Sequence, residues 1–151
     1  MLNYLVAQGY TDPERIAACG ISRGGFLAMH FTASDPRVKC KAVFAPVVNL
    51  GTLPSFKGAE KHPAVRAVDL MEVADKMVGK PLWIVVVDQD RSIDTDYVIA
   101  FARKIARLSS QNSRIELHVM PEPGGHNTPA GSDRQSAVWI AKQFGQPVSL
   151  K

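Results

Sequence analysis

A serine framed by glycines is the first feature of this 151-residue chain that could carry chemistry. The segment Gly20-Ile21-Ser22-Arg23-Gly24 has the spacing G-x-S-x-G, which is typical of a serine on a sharp turn between a strand and a helix. Gly20 and Gly24 would let that helix pass close to the strand. Ser22 Oγ would then be exposed at the helix N-terminus, where the backbone N–H of Arg23 could stabilise an oxyanion. The alternative is a serine that only caps a helix.

An aspartate-rich segment supplies the candidates for a carboxylate that orients an imidazole. The four candidates that follow a strongly apolar run are Asp88, Asp90, Asp94 and Asp96. Asp94 and Asp96 lie where a helix is predicted to begin, so they are more typical of helix caps. Asp88 is close to the end of the apolar run, and Asp90 is the best placed to accept a hydrogen bond from a histidine. The competing interpretation is that all four are turn and cap residues.

His126 is the candidate general base. It follows the segment Pro121-Glu122-Pro123-Gly124-Gly125, whose prolines and glycines predict a loop of defined shape. The other histidines lie inside predicted elements or in irregular sequence: His30, His62 and His118. A hydroxyl, an imidazole and a carboxylate in mutual reach perform nucleophilic acyl transfer. The chain order of serine, aspartate and histidine differs from the orders in the chymotrypsin and subtilisin folds.

The elements that must position these residues alternate along the chain. Largely apolar runs predict strands at residues 15–21, 38–44 and 83–87, and the alternation of apolar and polar residues at 114–120 predicts an edge strand. Helices are predicted near residues 2–6, at 24–31, at 69–78 with Asp69 as its cap, at 98–105, and at 137–144 with Ser132 or Asp133 as its cap. This alternation predicts an α/β protein with a parallel sheet of about four strands, ordered as the chain runs, and flanking helices. Ligands bind beyond the C-terminal ends of such strands, where the three loops described above lie.

Composition limits the classes of partner and cofactor. The net charge of +4 is spread over both halves of the chain, so no basic stripe predicts binding to nucleic acid. The longest strongly apolar run, residues 83–87, is too short to span a membrane, and the first residues lack a signal-peptide pattern. Cys19 and Cys40 lie in apolar runs, which predicts small buried residues and no disulfide. No metal or organic cofactor is implied, because the sequence lacks ligand spacings, a P-loop and G-x-G-x-x-G.

Three segments together resemble a known superfamily. Residues 12–17 and 20–25 resemble the α/β-hydrolases, and the nearest branch is the dienelactone-hydrolase and prolyl-oligopeptidase-like serine hydrolases. Asp90-Arg91-Ser92-Ile93 is similar to the D-x-x-V acid loop of that branch, which favours Asp90 over Asp88. Residues 123–126 resemble its histidine loop. The resemblance covers most of the chain and implies the C-terminal part of an α/β-hydrolase fold.

The same resemblance implies that part of the fold is missing. We expect residues 1–151 to form a single, partial domain with an irregular insert at about 47–80, because several strands normally precede the serine turn. Within the strand predicted at 15–21, residues 16–21 are apolar and include no lysine or proline that would protect a sheet edge. An N-terminal segment absent from this sequence, or else a second copy of the chain, is expected to cover it. In the family the second oxyanion donor comes from that half, and losing one donor costs about 10²–10³ in turnover.

The leading hypothesis is a serine hydrolase that cleaves a carboxylic ester or a related acyl bond of a small molecule. Ser22 would attack the carbonyl carbon, His126 would transfer the proton, and Asp90 would orient His126. A prolyl-oligopeptidase-type peptidase is the alternative enzyme, but the additional domain of such enzymes is not visible here, which favours the esterase. A catalytically silent α/β module that acts in binding or assembly is the alternative from another class.

Overall fold

The computed structural model describes residues 1–109 and 113–147, so the predicted domain of residues 1–151 includes seven residues that lie outside the described ones. Four parallel strands form one sheet in chain order: β1 (Ile16–Ile21), β2 (Val38–Phe44), β3 (Leu82–Val87) and β4 (Ile115–Met120). The predicted fold class and strand order are confirmed.

Helices cover both faces of the sheet. The described helices are α1 (Leu2–Ala7), α2 (Arg23–Ser34), α3 (Pro63–Ala67), α4 (Thr95–Leu108) and α5 (Ser132–Gln143). Helices α2 and α4 pack on one face and α5 on the other. Every side chain of β3 is buried, as its uninterrupted apolar sequence predicts for a strand covered on both sides. No helix in the described part of the chain is long and apolar enough to cross a membrane.

The helix predicted over residues 69–78 is wrong. Leu70, Ala74 and Met77 are buried with helix-like spacing, but only Ala74–Met77 forms a helical turn, of the 3-10 type. Contacts with distant residues hold the backbone of this segment: one anchors Leu70 to the loop after β2, and the other occupies the carbonyl of Met71, which an α-helix would use. The amide of Leu70 donates to the carbonyl of Val48 at 3.0 Å, and Lys104 Nζ donates to the carbonyl of Met71 at 2.6 Å.

The start of α5 also differs from the prediction. Gly131, in the left-handed conformation, occupies the N-cap position, and no side chain caps the helix there. Ser132 is buried, and its hydroxyl donates to the carbonyl of Pro129 at 2.6 Å instead. Trp139 is the residue of α5 that packs against the sheet. Ala137 is exposed, although its apolar character contributed to the prediction of this helix.

The outer side of β1 exposes apolar groups. Cys40, in β2, is buried as predicted, but Cys19, in β1, is exposed, so the prediction of a buried residue is wrong there. Ile21 is 54% exposed, and Leu27 and Phe31 of the neighbouring helix are also exposed. The position of β1 at the margin of the sheet explains both observations.

A buried lysine lies beneath α2. Lys41 of β2 is fully buried, and its Nζ donates to the carbonyl of Lys80 at 3.2 Å. Lys80 Nζ in turn donates to the carbonyls of Thr32 and Asp35, near the C-terminus of α2. Burial, reinforced by the nearby charge of Lys80, lowers the pKa of Lys41 to about 7. Lys41 therefore loses its proton far more readily in the folded chain than in the unfolded one.

We expect Lys41→Met to remove part of the pH dependence of stability. Between pH 7 and pH 9 the unfolded state binds more protons at this position, so the free energy of unfolding of the wild type rises with pH, by at most about 1.4 kcal/mol per unit. The variant should be the more stable protein at pH 7, and its advantage should shrink towards pH 9. Urea unfolding at pH 7, 8 and 9 measures this, with Lys76→Met, at an exposed position, as the control. Parallel pH profiles for the wild type and Lys41→Met would contradict the expectation.

Candidate active site

The C-terminal ends of the strands meet at one edge of the sheet. Ile21 of β1 pairs with Phe44 of β2, and Phe44 pairs with Val85 of β3. Val87, at the end of β3, pairs with Met120 at the end of β4. The loops that follow β1, β3 and β4 carry the three candidate residues, so the parallel register brings these loops to the same edge.

Ser22 lies in a strained turn between β1 and α2. Its φ of 54° and ψ of −119° are rare for a residue with a side chain. Hydrogen bonds on both sides hold this conformation. The amide of Ser22 donates to the carbonyl of Phe44 at 2.9 Å, and its carbonyl accepts from the amides of Phe26 at 3.2 Å and Val47 at 3.1 Å. The serine is therefore fixed by β2, by α2 and by the loop after β2.

The glycines around Ser22 contribute unequally. A Cβ atom on Gly20 would lie 2.1 Å from the carbonyl oxygen of Gly24, so only glycine fits there. A Cβ atom on Gly24 would meet nothing within 4 Å, so the room expected from Gly24 is not needed in this structure. Gly25 is the second position of close approach, because its Cβ would lie 2.9 Å from the Cβ of Pro46. Sequence analysis missed Gly25, although its place next to the motif was visible.

Asp90 and His126 are joined directly. The Asp90 carboxylate is 1% exposed, and its Oδ2 lies 2.8 Å from His126 Nδ1. Its Oδ1 accepts from the amides of Ser92 at 2.8 Å and Ile93 at 2.9 Å. With both oxygens occupied, the carboxylate has a fixed orientation and favours the tautomer in which Nδ1 carries the proton. Nε2 of His126 is then the ring nitrogen that can accept a proton from another group.

The other aspartates have structural contacts. Asp94 caps α4, because its side chain accepts from the amide of Tyr97 at 3.1 Å, and Asp96 lies in the first turn of the same helix. Asp88 Oδ1 accepts from the amide of Glu122 at 3.1 Å and so ties the loop after β3 to the loop that carries His126. This anchoring contact was not apparent in the sequence, since it joins residues 34 positions apart.

The remaining histidines lie elsewhere. His30 in α2 has its Nε2 2.8 Å from the carbonyl of Val68, and His62 caps α3 by accepting from the amide of Ala64. His118 lies within β4 and contacts Trp83.

A cavity of about 450 Å³ lies beside His126. It is lined by Gln89, Arg91, Ser92 and residues 123–127. The loops after β3 and β4 thus form one wall of the site. Ser22 lies at the same sheet edge, but within residues 1–109 and 113–147 no hydrogen bond joins its hydroxyl to His126. The structure therefore brings Asp90 and His126 into contact, and it places Ser22 on the loop after β1, with β2 between that strand and β3.

The model of the family described as "Prolyl oligopeptidase family" matches residues 1–145. No curated protein matches the chain.

Solved structures share the fold. A puromycin hydrolase aligns with a TM-score of 0.78 and 20% identity over 97% of this chain and 24% of its own. An acylaminoacyl peptidase of Pyrococcus horikoshii aligns with a TM-score of 0.72 and 15% identity, over 99% of this chain and 27% of its own. Dipeptidyl peptidase 4 of Porphyromonas gingivalis aligns with a TM-score of 0.71 and 16% identity, over 91% of this chain and 20% of its own. At such identities the likeness shows the α/β-hydrolase fold alone. The chain spans between 20% and 27% of the length of these three proteins.

We expect Gly20→Ala to destabilise the chain and Gly24→Ala to leave it intact. The first methyl group would lie within 2.1 Å of a backbone oxygen and force β1 and α2 apart, which should cost about 3 kcal/mol or more. The second methyl group enters open space at the start of a helix, where alanine is favoured by up to about 1 kcal/mol. Urea unfolding of both variants measures the difference. Equal losses of stability in the two variants would contradict the close approach at Gly20.

Proposed function

This chain belongs to the prolyl oligopeptidase family, and we propose that it carries the catalytic groups of a serine hydrolase that cleaves peptide-like acyl bonds. The observation that carries the proposal is the 2.8 Å contact between His126 Nδ1 and the buried Asp90 carboxylate, at the sheet edge that also holds Ser22. The strained turn at Ser22 adds a second, independent support, since residues held in rare conformations cluster at functional sites.

The proposed reaction is a two-step acyl transfer. Ser22 Oγ attacks the substrate carbonyl while its proton passes to Nε2 of His126, and the resulting imidazolium is stabilised by Asp90. The imidazolium then gives that proton to the leaving nitrogen as its bond to the acyl carbon breaks. Water, activated by the same imidazole, hydrolyses the acyl-enzyme and restores the serine. Both movements of the proton use Nε2, because Nδ1 is held by Asp90.

Arg23 is the proposed source of one oxyanion donor. It is the first residue of α2, and an N–H group in a first helical turn has no partner inside the helix. The positive end of the helix dipole reinforces this position. A negatively charged oxygen next to Ser22 would therefore meet a fixed donor.

The peptidase interpretation replaces the esterase as the preferred one. The preference for the esterase in the sequence analysis depends on one reason, which is that the additional domain of such peptidases is not visible in the sequence. That reason does not hold, since the chain spans at most about a quarter of the solved proteins with which it was compared. The match to the prolyl oligopeptidase family supports a peptide-like substrate instead.

A catalytically silent module remains the second candidate. The lack of a hydrogen bond between Ser22 and His126 in the described residues favours it. Catalytic hydrogen bonds are often long before a substrate binds, so this observation weighs less than the Asp90 contact.

We also propose that a further polypeptide segment pairs with the outer edge of β1. The exposed apolar groups of Ile21, Leu27 and Phe31 support such a contact. A segment of a longer polypeptide is favoured over a second copy by the small share of the compared proteins that this chain spans.

A fluorophosphonate probe tests the catalytic groups. The wild type should be labelled, Ser22→Ala should not be labelled at all, and Asp90→Asn should be labelled far more slowly, by up to about 10⁴-fold, because the imidazole adopts the wrong tautomer. Asp94→Asn is the matched control, since Asp94 only caps α4. Labelling rates are read by mass spectrometry on samples whose folding is verified by circular dichroism. A folded wild type that is not labelled would favour the silent module and contradict the proposal that this chain by itself is an active hydrolase.

Paired substrates test the peptidase interpretation. The same blocked aminoacyl group should be released from an anilide as well as from a phenyl ester, because His126 can protonate a departing nitrogen. Release from both substrates should disappear in Ser22→Ala. Turnover of the ester with no detectable turnover of the anilide would return the esterase to first place. Chromogenic release at pH 8 measures both reactions.

A further inference from the structure

The loop that carries His126 is built around Glu122. The carbonyl of Glu122 accepts from the amide of Gly125 at 2.9 Å, and its Oε1 accepts from the amide of Gly124 at 3.0 Å. These two contacts close a turn over residues 122–125, in which Gly125 has a left-handed backbone with a φ of 76°. The turn ends directly before His126. A displacement of Glu122 would therefore move the backbone that carries the imidazole.

Asp88 holds the start of this turn from the neighbouring strand. It is the first residue after β3, and its Oδ1 accepts from the amide of Glu122 at 3.1 Å. Its own amide donates to the carbonyl of Met120, the last residue of β4, at 3.0 Å. Hydrogen bonds to an ionised carboxylate are stronger than those to a neutral acceptor. The Asp88 side chain thus extends the pairing of β3 and β4 into the loop that leads to His126.

One short segment therefore holds both ends of the turn. Asp88 binds Glu122 where the turn begins, and Asp90, two residues farther along, binds His126 where it has ended. The two contacts have different consequences. The Asp90 contact selects the tautomer of the imidazole and orients the ring. The Asp88 contact does not reach the ring, and it restrains the position of the backbone on which the ring is mounted.

We propose that Asp88 is a positioning residue for His126. It acts through Glu122 and the turn that follows, and it keeps Nε2 of His126 where this atom can take the proton of Ser22. The role rests on the acyl transfer proposed above, because it concerns the group that receives this proton. Among the residues that the structure describes, no hydrogen bond joins Asp88 to the imidazole or to the serine. Asp88 is accordingly not a catalytic residue.

Two substitutions of Asp88 separate position from charge. Asp88→Asn and Asp88→Ala both remove the negative charge, but only the asparagine keeps an oxygen that can accept from the Glu122 amide. Fluorophosphonate labelling should slow about tenfold to a hundredfold in Asp88→Ala, the cost of displacing a reacting group by about 1 Å. Asp88→Asn should be labelled at nearly the wild-type rate, and the midpoint of the pH profile of labelling should agree between the two variants.

Asp96→Ala is the matched control for charge. Asp96 is exposed in the first turn of α4 and lines the same surface cavity as Asp88, so its removal alters the local charge but not the contact with Glu122. It should be labelled like the wild type. Equal labelling rates in Asp88→Asn and Asp88→Ala, whether both slow or both unchanged, would overturn the positioning role.

A measurement that needs no turnover separates this proposal from the proposed function. The proton that His126 Nδ1 shares with Asp90 is observed by proton NMR in the folded chain, and Asp90→Asn identifies its signal. Exchange of this proton with water should be equally slow in the wild type and Asp88→Asn. It should be up to about tenfold faster in Asp88→Ala, the range for loss of one hydrogen bond. Equal exchange in all three proteins would overturn the role of Asp88, whereas the expected difference in a wild type that is not labelled would contradict acyl transfer alone.

Discussion

The close approach of the first turn of α2 to the end of β1 is the constraint on which the site depends. There is no space for even one carbon atom between Gly20 and the carbonyl of Gly24. This contact makes the chain reverse within a single residue, and Ser22 takes up the reversal in a rare backbone conformation. The cost of that conformation is offset by three backbone hydrogen bonds to neighbouring elements. The position of Ser22 is consequently fixed by the surrounding elements and not by the intrinsic backbone preference of serine.

The second half of the site is organised by the ends of β3 and β4. Their register aligns the two loops. The Asp88 side chain joins the loops close to the strand ends, and Asp90 and His126 are in contact farther along the same loops. A buried carboxylate is costly unless its oxygens are satisfied, and Asp90 has partners for both. The imidazole therefore gains orientation from a group that is itself immobilised by two backbone amides. This arrangement explains why an otherwise irregular loop holds one defined geometry.

The sequence predicted what depends on local pattern and missed what depends on distant partners. The strands follow from apolar runs and from alternating polarity, the helices at the sheet faces follow from the spacing of their apolar residues, and the strand order follows from the alternation of the two kinds of element. The helix predicted over 69–78 has the correct spacing of buried side chains, yet Lys104, distant in the chain, binds the Met71 carbonyl that an α-helix would use, and Val48 anchors the Leu70 amide. The role of Gly25 depends on Pro46, which lies in a separate loop. Motif spacing alone cannot distinguish such a glycine from Gly24.

The bare margin of β1 has a practical consequence for handling the isolated polypeptide. Unpaired main-chain donors and acceptors along that strand can form hydrogen bonds with a strand of another molecule, so concentrated solutions will favour edge-to-edge association and aggregation. Cys19 is exposed on this strand and adds a second route to aggregation, because its thiol can form a disulfide with a neighbouring molecule. A lysine in place of Cys19 would add the charged side chain that protects many natural edge strands, and it would also remove the thiol.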